Sequence, residues 1–239
     1  MRVFIIGITG AVGSRLAGAL IERGDVVVGL VRRSQQRREL AARGVEVHVA
    51  ELTRLTAESL ARMLAGADAV VYAAGSNGGT RESTAAVDGE AVITAMEAVL
   101  LAGVGRFALV SVLPEAGRGE QLGDDVEFYF AVKKLIEVMV SMTDVDWLIL
   151  RPSLLVDRVG SGLISLGPAQ PNDEISRADV AETLAELLHE PRIRRRILEV
   201  TEGSTPIAWA VLANVLGDEG TSASDGFEDS ELDGGQGHD

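Results

Sequence analysis

The sequence predicts a doubly wound α/β protein, in which helices cover both faces of a mostly parallel sheet. Three features carry that expectation. Short β-branched runs alternate with longer segments of helical period along most of the 239 residues. Several of the runs, VVVGLV and WLILR among them, are apolar almost throughout instead of alternating, as expected of strands buried on both faces. Gly24, Gly44, Gly66 and Gly103 each follow a helical segment where a left-handed cap would sit.

In order, the patterns predict strands at 2–8, 25–31, 45–49, 68–73, 106–112, 146–151 and 197–200. Helical segments are expected between and after them, at 11–23, 35–43, 56–65, 83–102, 125–143, 177–189 and 206–215. Ser176, with Asp179 three positions later, resembles a capping box opening the helix that carries Val180, Leu184, Leu187 and Leu188. With 46% hydrophobic and 24% charged residues, the chain can enclose one core over 1–216, including a small portion at about 153–216 on the substrate side.

The formal charge of −14 is unevenly spread. Residues 217–239 hold eight acids, six glycines and neither Lys nor Arg; the rest carries 22 basic and 28 acidic residues, a net of −6. The tail lacks apolar periodicity and cannot bury enough surface to offset its ordering entropy, so it is expected to be disordered. It is either a solubilising extension or an acidic contact for a protein partner. An acidic body without a basic stripe argues against nucleic-acid binding.

There is no cysteine, which excludes disulfides, thiolate metal sites and a cysteine nucleophile. The three histidines, His48, His189 and His238, lack metal-ligand spacing, and no metal is expected. No apolar stretch approaches the roughly 20 residues of a membrane span. The apolar start is broken by GITGAVGS, unlike a signal peptide, so a cytoplasmic location is expected.

In an open parallel sheet, ligands bind beyond the carboxyl ends of the strands. The first strand runs into Gly7-Ile8-Thr9-Gly10-Ala11-Val12-Gly13. Glycines there permit a tight turn and close approach to a pyrophosphate, which the amides and positive end of the next helix would hold. The second strand ends in Arg32-Arg33-Ser34, without the carboxylate that would accept the adenosine ribose hydroxyls of NAD and repel a 2′-phosphate. Two arginines offer that phosphate charge-assisted hydrogen bonds, favouring NADP(H) over NAD(H).

Gly7-x-x-Gly10-x-x-Gly13, Arg32-Arg33, Ala73-Ala74-Gly75, Ser111, Tyr129-x-x-x-Lys133 and Arg151-Pro152 occur in the order of the short-chain dehydrogenase/reductase superfamily. The chain resembles the atypical branch of that superfamily, NAD(P)-binding Rossmann proteins akin to NmrA-like proteins and biliverdin/flavin reductases, over about residues 1–215. The resemblance implies that Gly7, Thr9, Gly10, Ala11, Val12 and Gly13 hold the pyrophosphate and Arg32 and Arg33 the 2′-phosphate. It places Glu51 and Leu52 near the adenine, Ala73, Ala74 and Gly75 beneath the nicotinamide ribose, and Pro152 near the carboxamide. Glu51 departs from the usual Asp by one methylene.

Tyr129 and Lys133 stand four residues apart on one helix face and can reach the same crevice. A nearby ammonium favours phenolate, so Lys133 is expected to lower the Tyr129 pKa, making it a proton donor to a carbonyl, and to bind the ribose. Ser111 could orient the same substrate oxygen. Walls for a small-molecule substrate are expected from loops at 76–80, 113–124 and 154–172, the middle one acidic through Glu115, Glu120, Asp124 and Asp125. The leading expectation is an oxidoreductase reducing a small carbonyl, quinone or flavin-like acceptor. A non-catalytic NADP(H)-sensing regulator is the second. A sugar-nucleotide epimerase or dehydratase ranks third, because few residues follow Pro152 before the tail.

Overall fold

The computed structural model describes residues 1–76, 79–113 and 122–222. In chain order its strands are β1 (Arg2–Ile6), β2 (Val26–Val31), β3 (Glu46–Val49), β4 (Ala69–Tyr72), β5 (Arg106–Val110) and β6 (Asp146–Pro152), then β7 (Leu154–Val156), β8 (Leu163–Gly167), β9 (Glu174–Ser176), β10 (Arg196–Glu202) and β11 (Thr205–Pro206). The helices are α1 (Ala11–Glu22), α2 (Ser34–Ala41), α3 (Ala57–Leu64), α4 (Arg81–Thr84), α5 (Ala91–Ala102), α6 (Asp124–Ser141), α7 (Arg177–Leu188) and α8 (Ile207–Ser222).

β1 explains why the sheet must be covered twice. Alternate side chains of a strand point to opposite faces. Val3 and Ile5 enter one core with Leu16 and Leu20 of α1 and Leu184 of α7; Phe4 and Ile6 enter the other with Leu60 of α3, Val92 of α5 and Ile136 of α6. All four strand residues are fully buried. Seven strands, β3-β2-β1-β4-β5-β6-β10, lie parallel in that spatial order. Successive strands run outward from β1 in one direction through β3, and the chain then returns to the other side of β1 as β4. The point of reversal lies between β1 and β4, where Ile6 is in register with Leu30 of β2 and Tyr72 of β4.

The mostly parallel, doubly wound sheet is the fold the sequence predicts, and glycines 24, 44, 66 and 103 all adopt positive φ. The expected loop at 154–172 is corrected. It contains β7 and β8; β7 pairs in parallel with β9 as a separate ribbon, and β8 runs antiparallel to β10, with β11 beyond it. These strands are short, and their pairing depends on distant segments that local pattern does not reveal. Ser176 Oγ accepts the Asp179 amide at 2.9 Å and donates to Asp179 Oδ2 at 2.8 Å. The same buried carboxylate accepts the amides of Ser161 and Gly162, fastening the turn before β8. α8 runs to Ser222, past the expected end at 215. Among the described residues no helix is long and apolar enough to cross a membrane.

Arg106, buried at the start of β5, closes the carboxyl end of α7. Its Nη2 donates to the carbonyls of Leu187 (2.6 Å), Glu190 (3.2 Å) and Ile193 (3.0 Å). Burial pushes the guanidinium pKa below its ordinary value, and the carbonyls supply the compensating interaction. Arg106→Met is expected to leave these acceptors short of a donor and lower stability by about 2 to 3 kcal/mol, read as a lower urea midpoint with an unchanged slope.

Candidate active site and cofactor cleft

The cleft begins where β1 ends. Gly7 has φ of +92°, and a Cβ built on it would lie 2.5 Å from the Ala74 amide nitrogen. A Cβ on Gly13 would lie 2.3 Å from the Gly7 carbonyl oxygen. No side chain fits either space. The loop closes on itself through Gly10 N donating to Gly7 O at 2.9 Å, and Gly10 then serves as the N-cap of α1 without a side-chain cap. The first turn of α1 carries no acidic residue. Ala11, Val12 and Gly13 therefore present a positive helix end uncovered by any side-chain cap, the form of a phosphate cradle.

One strand outward, Arg32 and Arg33 leave the end of β2. Both are exposed, and neither side chain has a hydrogen bond or ion pair among the described residues. The Arg33 amide donates to Gln36 Oε1 at 3.1 Å, which starts α2 and keeps both residues at the strand end. Beyond them, Ala50 N donates to Val31 O at 2.9 Å, bringing exposed Glu51 and half-buried Leu52 to the same edge.

On the other side of the reversal, Ala73 N donates to Ile6 O at 2.9 Å, so Ala73 and Ala74 run against the glycine turn and Gly75 emerges exposed. Lys133 of α6 is buried, and its Nζ donates to Val110 O at the end of β5 at 3.2 Å. It also lies 3.3 Å from Asp88 Oδ1 and 5.8 Å from the centroid of the Tyr129 ring. Ser111 is buried next to Val110, its Oγ without a hydrogen-bond partner among the described residues. Pro152, at the end of β6, accepts the Leu113 amide at 3.3 Å. Lys133, Tyr129 and Ser111 thus gather at the ends of β5 and β6, two strands from the glycine turn.

Two expectations are corrected. The Tyr129 pKa is raised instead of lowered, because burial disfavours phenolate and the Asp88 charge opposes it further. Lys133 does not offset this, since its ammonium faces the tyrosine ring and is paired with Asp88. Asp124 and Asp125 stand in the first turn of α6, not in a loop, and Arg81 pairs with both, with Nε 2.7 Å from Asp125 Oδ1. Residues 77–78 and 114–121, which include Glu115, Glu120 and much of two expected walls, lie outside the described residues, as do 223–239 of the tail.

The sequence reading missed Asp88. It is fully buried in a π-helical turn (Ala85–Glu90) between α4 and α5. The available signal was an aspartate in the AAVDGEAV stretch, one residue after Val87. Among the described residues no group of three His, Cys, Asp or Glu side chains could hold a metal. An apolar groove between α5 and α6, lined by residues such as Met96, Ile136 and Met139, involves none of the strand-end residues.

A glycine cradle at the reversal of a doubly wound sheet defines a dinucleotide-binding protein. The chain belongs to the NAD(P)H-binding family, whose model matches residues 7–191. It is 33% identical over 213 residues to a Bacillus subtilis protein described as the uncharacterized sugar epimerase YhfK, covering 88% of this chain and 99% of that one. A Bacillus halodurans structure described as a candidate NAD-dependent epimerase/dehydratase has a TM-score of 0.81 at 30% identity, covering 89% of this chain and 99% of the other. The oxidoreductase ylbE of Lactococcus lactis has a TM-score of 0.78 at 25% identity, covering 89% and 96%.

Gly13→Ala is expected to force the turn open. Nicotinamide-nucleotide affinity should fall at least about tenfold by calorimetry, and stability by about 1 to 3 kcal/mol, the cost of an overpacked contact.

Proposed function

We propose that the protein is an NADPH-dependent oxidoreductase that passes hydride to a small carbonyl, quinone or flavin-like acceptor. The observation that carries this reading is the placement of half-buried Tyr129 and buried Lys133 at one end of the strand-end cleft, with two arginines that pair with nothing among the described residues at the other. The nicotinamide supplies the hydride when bound. The residues fit it: no side chain caps the amides at the start of α1, no acidic residue stands in its first turn, and Arg32 and Arg33 are paired with no carboxylate among the described residues.

In this assignment the amides of Ala11, Val12 and Gly13 hold the pyrophosphate, and Arg32 with Arg33 the 2′-phosphate. Glu51 and Leu52 flank the adenine, while Ala73, Ala74 and Gly75 line the nicotinamide ribose and Pro152 the carboxamide. Lys133 orients the ribose. Ser111 Oγ is free to hydrogen-bond the acceptor oxygen, and Tyr129 gives that oxygen a proton. The raised Tyr129 pKa suits a neutral donor, because the protonated form persists well above neutral pH.

A second reading, epimerase or dehydratase chemistry on a sugar nucleotide, is favoured by the descriptions of the two Bacillus relatives. It uses the same cleft but returns the hydride to the substrate.

NADPH oxidation against aldehyde, menadione and flavin panels separates these functions. Net oxidation is expected; conversion of a nucleotide sugar without net oxidation would establish the second reading, and tight binding with no turnover a sensor. Arg32→Glu is expected to lower the NADPH-to-NADH affinity ratio by roughly 10- to 100-fold, the worth of one charge-assisted hydrogen bond. Tyr129→Phe should reduce kcat by about 100-fold or more while NADPH affinity stays within about threefold. Because the folded-state pKa lies above the ordinary phenol value, the wild type should show no loss of kcat from phenol ionisation between about pH 6 and 9.

A further inference from the structure

Asp88 is a buried charge at the strand-end edge that the hydride-transfer assignment leaves unused. It is 0% exposed and sits in a π-helical turn, a distortion frequent at functional sites. Its oxygens divide their attention between two elements. Oδ2 accepts the Ser76 amide at 3.0 Å, in the loop that follows Gly75. Oδ1 lies 3.3 Å from Lys133 Nζ and completes no hydrogen bond of its own.

Lys133 and Ser76 come from α6 and from the segment after β4, and no sheet pairing fixes their separation. The carboxylate does. A Cβ on Gly75 would lie 3.4 Å from Asp88 Oδ1, so the loop passes directly against it. Thr84, on the same continuous helix, adds a contact from its Oγ1 to Ser76 Oγ at 3.1 Å. An ammonium buried as deeply as that of Lys133 requires a counter-charge, and Asp88 is the acid that faces it.

We propose that Asp88 is a positioning residue that holds the Lys133 ammonium and the Gly75–Ser76 backbone in one register, and so shapes the nicotinamide half of the cleft. The proposal rests on assigning that half of the cleft to the nicotinamide ribose. Fully buried, Asp88 touches neither cofactor nor substrate and acts through Lys133 and Ser76.

The chain has two lysines, Lys133 and Lys134, so competitive acetylation with acetic anhydride, read by peptide mass spectrometry, carries its own internal reference. In the full-length protein without cofactor, Lys133 should react more slowly than Lys134. Asp88→Asn should raise the Lys133-to-Lys134 ratio about fivefold as the ammonium is released. The functional arm is a double-mutant cycle in NADPH affinity. Asp88→Asn should weaken binding about tenfold when Lys133 is present and less than about twofold in Lys133→Met. A merely structural role would give equal losses in both backgrounds. An unchanged labelling ratio, or equal losses, overturns the proposal. If Asp88→Asn does not fold, the double variant Asp88→Asn/Lys133→Met removes both charges and should restore folding; a double variant no better folded than the single overturns the proposal. If the wild type fails to bind NADPH, the cofactor assignment falls, while the labelling ratio still decides whether Asp88 holds Lys133.

Discussion

Two backbone segments meet at the centre of the sheet with no room for a methyl group between them. Gly7 lies against Ala74, and Gly13 against the Gly7 carbonyl. This close approach lets α1 start immediately beyond β1 and lets β4 lie beside β1 with its own end level with the turn. Had either glycine carried a side chain, the helix or the neighbouring strand would have to withdraw, and the cleft would lose its floor. The strain-free route through positive φ at Gly7 is therefore a condition for everything built around it.

The same crossing arranges charge along the edge of the sheet. Outward on the β2 side lie the uncapped end of α1 and two guanidinium groups that pair with nothing among the described residues. On the β5 side, positive charge is present but matched, since Lys133 faces Asp88. A protein of net negative charge can therefore still attract an anion locally, because the field at short range is set by nearby groups and not by the total. A nicotinamide ring, neutral when reduced and cationic when oxidised, and a polyanionic adenosine phosphate would meet opposite requirements at the two ends of the cleft.

Much of this was legible in the sequence, wherever local chemistry dictates geometry. RVFII must be buried on both faces because nothing in its first five positions after Met1 offers a polar side chain except Arg2. The spacing of Gly7, Gly10 and Gly13 between a strand and a helix has one economical geometry. Arg32 and Arg33 are legible because a strand end places them without help from tertiary contacts. The strands β7, β8, β9 and β11 were not, since each is short and stabilised by partners far along the chain. Asp88 was hidden for a related reason. The π-helical turn and the burial of its carboxylate arise only when α6 and the segment after β4 close on it. The spacing of Tyr129 and Lys133 correctly put them near one another, but it carried no information about the burial of the phenol, which reverses the expected direction of its pKa, or about Asp88, whose charge adds to that effect.

That reversal alters the chemistry asked of Tyr129 in the proposed reaction. A phenol activated by an ammonium would be the stronger acid but would also lose its proton as pH rises. Here the ammonium is spoken for by Asp88, and burial keeps the phenol neutral. In water-poor surroundings the oxygen receiving hydride also becomes a stronger base, since its developing negative charge is denied solvent. A donor and an acceptor whose proton affinities rise together remain matched, so a weakly acidic tyrosine can still serve as the proton source. In that proposed reaction such matching places the burden on geometry: Ser111 would orient the acceptor oxygen, and the Gly75–Ser76 backbone would hold the ribose below it. Asp88 ties that backbone to Lys133 on α6, and in the proposed reaction this would link the position of the cofactor to the position of the helix that carries Tyr129.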